Sequence, residues 1–361
     1  MSDSVADSVK RQPIPRRISL PDSFEAVNQS LNEAQANAGE VIERYYTIAE
    51  QTIRLRFAGP AMLPAVTRAL EHALVEPTPH PNLTINVWDS ASTRSRIPDI
   101  AWFKSYGTQP GVILSFREGS HCIAYQSNTS VLSLFDIAEK TGYYWTDDLK
   151  KIPYFEVARP MSVLLHWWFH HQGYLVVHGG AIGIDGKGIV LAGKGGSGKS
   201  TTALLWLEAG YQYVGDDLCV VGGSPGLHAH SLYNSAMLFE DDLRLLPSLK
   251  PFVAEPLGTT DEKRMIFLND KERLVKNLRL KAILLPRVTQ HHNAILTATS
   301  SSDAMKSLAP STLMQLPGAQ ASSFQAMASL VKRIPCYRLE LGTDRHHVID
   351  VIREFLTSLD Y

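Results

Sequence analysis

The chain has 361 residues, of which 44% are hydrophobic and 20% charged, and its net charge at pH 7 is −1. This length accommodates two domains, and the balanced charge argues against binding to nucleic acid or anionic membranes through bulk charge. The three cysteines are far apart, which argues against a structural zinc site or a disulfide framework and indicates a reducing compartment. The chain shows no membrane-length apolar run and no secretory h-region, so we expect a cytoplasmic protein.

The first 40 residues are rich in Ser, Asp, Asn, Gln and Pro and show no sustained hydrophobic period. This composition predicts a mobile leader over residues 1–40.

From residue 41 to 150 the pattern changes to short alternating segments mixed with one helix. The helix is predicted over 62–74, where apolar residues recur at helical spacing. Strands are predicted at 52–57, 83–88, 111–116 and 122–125. No residues in this region have catalytic spacing, so we interpret it as a smaller α+β domain for packing or partner recognition.

A connector and a helix over 161–169 follow. The bulky side chains of this helix, Trp167 and Trp168 among them, are interpreted as core or interdomain packing rather than as a platform for stacked bases. A strand at 174–177 then leads into His178-Gly179-Gly180. Asp185-Gly186 is a hairpin turn signal between this segment and a buried strand at 188–191.

A glycine-rich stretch follows that second strand and fits the pattern G-x-x-x-x-G-K-[ST] of a phosphate-binding loop. It consists of Gly193, Lys194, Gly195, Gly196, Ser197, Gly198, Lys199, Ser200 and Thr201. The next eight residues, 202–209, are helix formers, and Gly210 is placed to end the helix in a left-handed conformation.

Each residue type in this loop has a use in nucleotide binding. Glycines let backbone N–H groups approach phosphate oxygens, and the helix start adds unpaired donors and partial positive charge. Lys199 can reach the β- and γ-phosphates, and the Ser200 hydroxyl can bind Mg²⁺. We therefore interpret the stretch as an ATP site rather than as a glycine-rich turn with an accidental Gly-Lys-Ser.

Two adjacent carboxylates, Asp216 and Asp217, follow a strand predicted at 211–215. A right-handed crossover from the loop through its helix to this strand would bring both carboxylates to the sheet edge where the loop lies. One of them can then orient Mg²⁺ or accept a proton from an attacking hydroxyl. The alternative is a polar strand end that only opens a turn, and His178 taken alone is a weaker candidate.

Together these residues resemble the catalytic domain of HPr kinase/phosphorylase and its relatives, which include the HprK-like serine kinases that phosphorylate precursor peptides in lasso-peptide gene clusters. The resemblance lies in His178-Gly179-Gly180, in the loop at 193–200 and in residues 210–217, and it covers roughly 174–221. The spacing agrees too, since Gly193 follows His178 by 15 residues and Asp217 follows Ser200 by 17. It implies an α/β fold, with a P-loop nucleotide-binding domain of the HPr kinase/phosphoenolpyruvate carboxykinase type over 151–361, preceded by the smaller α+β domain at 41–150.

The resemblance also implies roles for individual residues. Lys199 neutralises the transferring phosphoryl group, Asp217 accepts the proton of a substrate serine, and His178 supports that base. Ser200 and Asp216 bind Mg²⁺, and a second metal carboxylate is expected at Asp241. The glycine-rich signature of the bifunctional HPr enzymes is missing, which argues against HPr as the substrate and against phosphorylase activity. Relatives form hexamers, which makes a homo-oligomer an option.

The function expected from the sequence is therefore transfer of the γ-phosphoryl group from Mg-ATP to a hydroxyl, a serine of a peptide or protein partner. Lys263 or Arg264 could reach the γ-phosphate, or could belong to a solvated charge run. The alternative from another class is a nucleotide-gated binding module or ATPase switch without a phosphorylated acceptor. Carboxykinase chemistry ranks last, because no dedicated cluster of basic residues for a small dicarboxylate is evident.

Overall fold

The computed structural model describes residues 20–99, 113–126, 129–254 and 263–359. Three sequence predictions fall partly outside these ranges: the first 19 residues of the leader, the start of the strand at 111–116, and Asp261 and Glu262 beside Lys263. Within the ranges given, no helix is both long and apolar enough to cross a membrane.

Eight strands from residues 41–146 form the first sheet, in the order β3-β1-β2-β4-β8-β7-β6-β5. Strands β2, β4 and β8 are parallel neighbours, and the other pairs are antiparallel. The strands are β1 (Val41–Ile48), β2 (Gln51–Ala58), β3 (Leu74–Val75), β4 (Leu83–Asp89), β5 (Ile113–Glu118), β6 (His121–Gln126), β7 (Val131–Asp136) and β8 (Thr141–Thr146). The strands predicted at 52–57, 83–88 and 122–125 lie within β2, β4 and β6.

A helix, α1 (Leu20–Ala38), occupies much of the segment predicted to be a mobile leader, so that prediction is wrong for residues 20–38. Its buried face packs on the aromatic side of the first sheet, where Trp88 Nε1 donates to Ser30 Oγ at 3.1 Å. The face repeats at helical spacing through Leu20, Phe24, Val27, Leu31 and Ala34. The Ser, Asn and Gln residues between these positions hide that period in the average composition.

The helix predicted over 62–74 is also different in the structure. It is divided into a short α2 (Leu63–Val66) and a 3₁₀ helix (Arg68–Ala73). Because residues three apart share a face in both helix types, that spacing could not distinguish one from the other. Two further short helices in this half are α3 (Ser90–Thr93) and a 3₁₀ turn at Leu149–Lys151.

Two helices join the halves of the chain, α4 (Tyr154–Ala158) and α5 (Ser162–His171). Every residue of α5 from Val163 to Phe169 is buried, because the helix lies between β7 of the first sheet and β9 of the second. Trp167 and Trp168 pack in the core cluster shared by both halves, as the sequence predicted.

The second sheet has the order β10-β9-β12-β13-β16-β18-β17, and β11 pairs with β9. Strand β10 also pairs with β16, so β10, β9, β12, β13 and β16 close into a ring. The strands of this half are β9 (Leu175–Ile184), β10 (Lys187–Ala192), β11 (Gln212–Gly215), β12 (Leu218–Gly222), β13 (His228–Ser231), β16 (Asn277–Val288), β17 (Ile295–Ala298) and β18 (Cys336–Leu341), with β14 (Ser235–Phe239) and β15 (Lys263–Phe267) paired separately.

Helices cover this second sheet. They are α6 (Lys199–Glu208), α7 (Glu240–Leu243), α8 (Ser301–Gln315), α9 (Gln320–Arg333) and α10 (Arg345–Ser358), with a 3₁₀ helix at Pro247–Phe252. Helices α6 and α10 pack in one apolar cluster, and α8 and α9 pack in another.

Strand β9 positions the candidate site, because it lies between the two strands whose ends carry the polar residues. Both β10 and β11 run antiparallel to β9, so their carboxyl ends point to the same edge. Ala192 at the end of β10 pairs with Gly179, and Gly215 at the end of β11 pairs with Ala181. The crossover predicted from the sequence agrees with this topology.

Candidate active site

The phosphate-binding loop predicted from the sequence joins β10 to α6. Gly196 and Gly198 have φ values of +77° and +96°, which disfavour any side chain. A Cβ added to Gly198 would also overlap the Leu341 side chain, whereas one on Gly195 or Gly196 would meet nothing within 4 Å. The loop thus packs on the core through Gly198 and presents bare backbone to open space at Gly195-Gly196.

Lys199 is the first residue of α6 and is 7% exposed. Its ammonium group donates to the Gly193 carbonyl at 2.9 Å and to the Lys194 carbonyl at 3.1 Å. Burial lowers the pKa of Lys199, although Asp216 and Asp217 act in the opposite direction. The ammonium group therefore closes the loop on itself, in bonds that an anion could replace.

Asp216 is 2% exposed, and the Ser200 side chain lies close enough to its carboxyl group to act on its pKa. Burial and the charge of Asp217 raise the pKa of Asp216 above its ordinary value. Its Oδ1 atom is buried and has no hydrogen-bond partner in the part of the chain that the structure describes. Ser200 and Asp216, two of the three predicted metal ligands, are thus in contact.

Asp217 has a left-handed backbone conformation, with φ of +68°. Two backbone hydrogen bonds hold it there, from Leu218 N to Asp216 O at 2.8 Å and from Gly179 N to Asp217 O at 3.0 Å. A non-glycine residue in this conformation is uncommon and is kept only where its surroundings impose it. Here the conformation directs the side chain towards His178 instead of continuing the strand.

The Asp217 carboxylate lies between two partners. Oδ1 is 2.8 Å from His178 Nε2, and Oδ2 is 3.0 Å from Arg159 Nη1. The Arg159 contact has ion-pair distance but not hydrogen-bond alignment, so Oδ2 keeps a free acceptor position. Burial opposes ionisation of Asp217, but the charge of Arg159 and the contact with His178 outweigh it and hold the pKa of Asp217 below its ordinary value.

Gln315, at the end of α8, closes a ring of four side chains. Arg159 Nη1 donates to Gln315 Oε1 at 2.8 Å, which turns the amide nitrogen of Gln315 towards His178 Nδ1 at 3.5 Å. These contacts favour the imidazole tautomer with its proton on Nε2, because Nδ1 then accepts from that amide and Asp217 Oδ1 accepts from Nε2. The backbone N–H of His178 also donates to Thr312 Oγ1 at 3.1 Å, which fixes α8 to β9.

Not every predicted site residue is brought to this edge. Asp241 lies on the short helix α7 with its side chain 89% exposed and pairs with Arg244 at 3.0 Å. It is not among the charges that most affect the pKa of Asp216 or Asp217. The family pattern placed it by sequence distance alone, and the structure does not place it with Ser200 and Asp216.

The two basic residues predicted near the γ-phosphate also differ. The charge of Lys263, on β15, acts on both Lys199 and Asp217, so it lies near the site. Arg264 instead pairs with Glu240 at 2.7 Å.

Arg159 and Gln315 were missed by reasoning from the sequence. One feature of the sequence could have indicated Arg159: it is the only charged residue between Val157 and Leu165. Gln315 had no such feature, because its role depends on where α8 ends in space.

The unpaired oxygens test whether this edge fits a nucleotide and its metal. Ser197 Oγ, Asp216 Oδ1 and Asp217 Oδ2 are buried and lack hydrogen-bond partners among the described residues. Such atoms are costly unless something satisfies them. No group of three His, Cys, Asp or Glu residues that could hold a metal ion occurs in the described ranges. Mg²⁺ is commonly held by one or two carboxylates together with phosphates and water, so Ser200 and Asp216 fit that role.

Comparisons with known proteins add little to this geometry. No family model matches the chain, and no curated protein matches it. Among solved structures, it is similar to the Hpr(Ser) kinase/phosphatase from Coxiella burnetii, with 12% identity over 50% of this chain and 93% of that chain and a TM-score of 0.25. At that TM-score the likeness carries no weight, and a functional conclusion depends on the residues themselves.

Proposed function

We propose that the protein is a phosphotransferase that moves the γ-phosphoryl group of Mg-ATP to a hydroxyl, a serine of a peptide or protein partner. One observation carries the proposal: a glycine-rich loop with a lysine at its helix start shares a sheet edge with an ionised carboxylate that keeps a free acceptor position. The half that contains the second sheet supplies this chemistry, and the first sheet is the candidate for partner recognition.

The loop residues bind the phosphates. Backbone N–H groups at Gly195-Gly196 and at the start of α6 face the anion, and Lys199 exchanges its two carbonyl contacts for phosphate oxygens. Ser200 and Asp216 hold the metal. When bound, Mg²⁺ neutralises charge that develops on the phosphates.

Asp217 orients the acceptor hydroxyl through Oδ2. A carboxylate whose pKa is held down is a weak base. Phosphoryl transfer through a loose transition state, however, requires little activation of the attacking oxygen, so an aligned hydrogen-bond acceptor is sufficient. As the new O–P bond forms, the hydroxyl proton passes to Oδ2, the bond from the γ-phosphorus to the β,γ-bridging oxygen breaks, and ADP leaves. His178 donates to Oδ1, which leaves Oδ2 as the acceptor for the hydroxyl, and Arg159 and Gln315 hold the imidazole and the carboxylate in position.

The test is Asp217→Asn, measured with labelled Mg-ATP and candidate serine peptides or partner proteins. We expect transfer to fall by about 10²-fold or more, with ATP affinity within about threefold of the wild type. Asp241→Asn is the matched control, because that carboxylate is exposed and should leave both quantities unchanged. If the Asp217→Asn variant transfers the phosphoryl group at the wild-type rate, the proposed role of Asp217 is wrong.

A second candidate is a nucleotide-gated binding module or ATPase switch. It is favoured by the two partners, Arg159 and His178, that hold Asp217 ionised, which would suit a carboxylate that positions water or senses the γ-phosphate. In that case labelled phosphate is released from ATP, and no phosphorylated acceptor appears with any candidate partner.

A further inference from the structure

A cleft of about 530 Å³ opens on the side of the phosphate loop away from Asp217. Its walls are the loop at Gly193–Ser197, the end of β16 and the first turns of α8. None of the residues given a role above, other than those of the loop itself, lines it.

The neighbours of β10 on its two sides determine how a triphosphate would be oriented on the loop. Strand β9, with His178, pairs with one side of β10, and β16 pairs with the other. A triphosphate with its terminal phosphorus at Asp217 therefore has to extend its other end towards β16, where the cleft lies. Helix α8 spans the same distance: Asp303 lines the cleft, and Thr312 contacts His178 about 13 Å further along the helix axis.

The lining suits a nucleoside joined to phosphate. Lys194 and Arg287 line the cleft and have no side-chain hydrogen bond or ion pair among the described residues. Arg338 lines it too, and its charge acts on the carboxylate of Asp303. Val288 lines it as well and is 60% exposed, an apolar surface against which a base can pack. Guanidinium groups also stack on flat aromatic rings, and a carboxylate such as Asp303 accepts from ribose hydroxyls.

Ser197 provides a separate indication of a ligand. It is 9% exposed, lies in the wall between the loop and the cleft, and its Oγ atom is without a hydrogen-bond partner in the described ranges. A buried hydroxyl in this position lacks only an acceptor or donor from a molecule seated in the loop.

We propose that this cleft binds the nucleoside end of the nucleotide, with Arg287 and Arg338 as the residues that discriminate a nucleoside triphosphate from a bare triphosphate. The proposal rests on the proposed function, since it assumes a triphosphate on the loop. It adds that affinity has two separable parts, one from the loop and one from the cleft.

The experiment compares two probes by calorimetry, Mg-ATP and inorganic tripolyphosphate with Mg²⁺, on the full chain. The variant is Arg287→Ala with Arg338→Ala, and the control is Lys332→Ala with Arg333→Ala, which removes two exposed cations of α9 outside the cleft. We expect the cleft variant to lose about tenfold in ATP affinity and less than about twofold in tripolyphosphate affinity. The control should change neither. Arg287→Ala alone, at an exposed position, serves if the double variant does not fold.

Each other outcome has a definite meaning. ATP affinity that is unchanged in the cleft variant overturns the proposal and leaves the phosphotransferase assignment intact. Equal losses for both probes also overturn it, because the two arginines would then act on the phosphates. If the wild type binds neither probe, the proposed function fails, and this inference fails with it.

Discussion

Two buried histidines lie in regions that use them differently. His166 is on α5, between the two sheets, and is 1% exposed, while His178 on β9 is 7% exposed. Neither ring nitrogen of His166 has a hydrogen-bond partner among the described residues, whereas both nitrogens of His178 have one. Burial is common to both, so burial alone does not mark a functional site.

The difference lies in what surrounds each ring. Helix α5 also contains the unpartnered, buried Trp168 Nε1, although Trp167 Nε1 on the same helix donates to the Pro317 carbonyl at 2.9 Å. The ring at the candidate site takes one side chain from each of four segments and leaves a free position only at Asp217 Oδ2. A connected set of polar groups with one opening is the arrangement that a substrate can complete.

The largest effect predicted from the difference between the two histidines is on stability at low pH, and His166→Leu tests it. Burial lowers the pKa of His166 to about 3, with a further contribution from His170. Between pH 6.5 and about 3 the unfolded chain therefore binds a proton that the folded chain does not, and stability falls as the pH falls. We expect the leucine variant to lose this dependence. On going from pH 7.5 to pH 4, its free energy of unfolding should therefore fall by about 3 kcal/mol less than that of the wild type.

Urea unfolding at the two pH values measures this gain. His80→Leu, at an exposed position, is the control and should keep the acid sensitivity of the wild type. If the free energy of unfolding depends equally on pH in the wild type and in His166→Leu, the imidazole of His166 is not isolated. The contrast drawn between His166 and His178 would then be wrong.

The next effect is on transfer, through His178. In His178→Ala the Asp217 carboxylate loses its donor, and we expect kcat to fall about 100-fold, as for a lost hydrogen bond to a charged group. In His178→Gln an amide N–H can replace Nε2–H, and most of the loss should be recovered. If both variants lose activity equally, the donor role assigned to Nε2 is wrong.

A smaller effect is expected for Arg159. Arg159→Gln removes the positive charge beside Asp217 Oδ2, and the two side chains are only 19% and 17% exposed. We expect about a tenfold fall in kcat with little change in the KM for ATP, because partial exposure screens the pair. Arg159→Lys keeps the charge and should retain more activity. A change confined to KM would instead place Arg159 in nucleotide binding.

The smallest effect is expected for Gln315. Its bond to His178 Nδ1 is long, at 3.5 Å, so Gln315→Leu should lower kcat only about two- to threefold. Nitrogen-15 spectra of the imidazole at one fixed pH offer a direct measurement. The wild type should show the Nε2–H tautomer, and the leucine variant a mixture of both. A single tautomer in both proteins would remove Gln315 from the ring.

The parts of the fold that could be predicted from the sequence are those determined over short distances. The hairpin at Asp185-Gly186, the glycines of the loop and the stop at Gly210 are local signals, and they define β9, β10, α6 and β11. The closure of β10 onto β16 joins residues far apart in the chain and leaves no local pattern. Helix α1 was missed because polar residues dilute its apolar face.

The candidate site divides in the same way. Lys199, Ser200, Asp216 and Asp217 lie at the two ends of one crossover, so their proximity followed from strand direction. Arg159 and Gln315 come from helices whose ends meet only after the two halves pack. Asp241 was assigned through a family pattern without a local physical reason, and the structure places it in solvent.

The pairing of β10 with β16 has a consequence for how the chain matures during synthesis. The loop and α6 leave the ribosome well before β16, so one flank of the loop has no neighbour until residues up to 288 have been translated. A nascent chain stalled before that point should capture no nucleotide, even though its Gly-Lys-Ser segment is already complete. The ability to bind a ligand is thus delayed until β16 has been made, which lies within the carboxyl-terminal third of the chain.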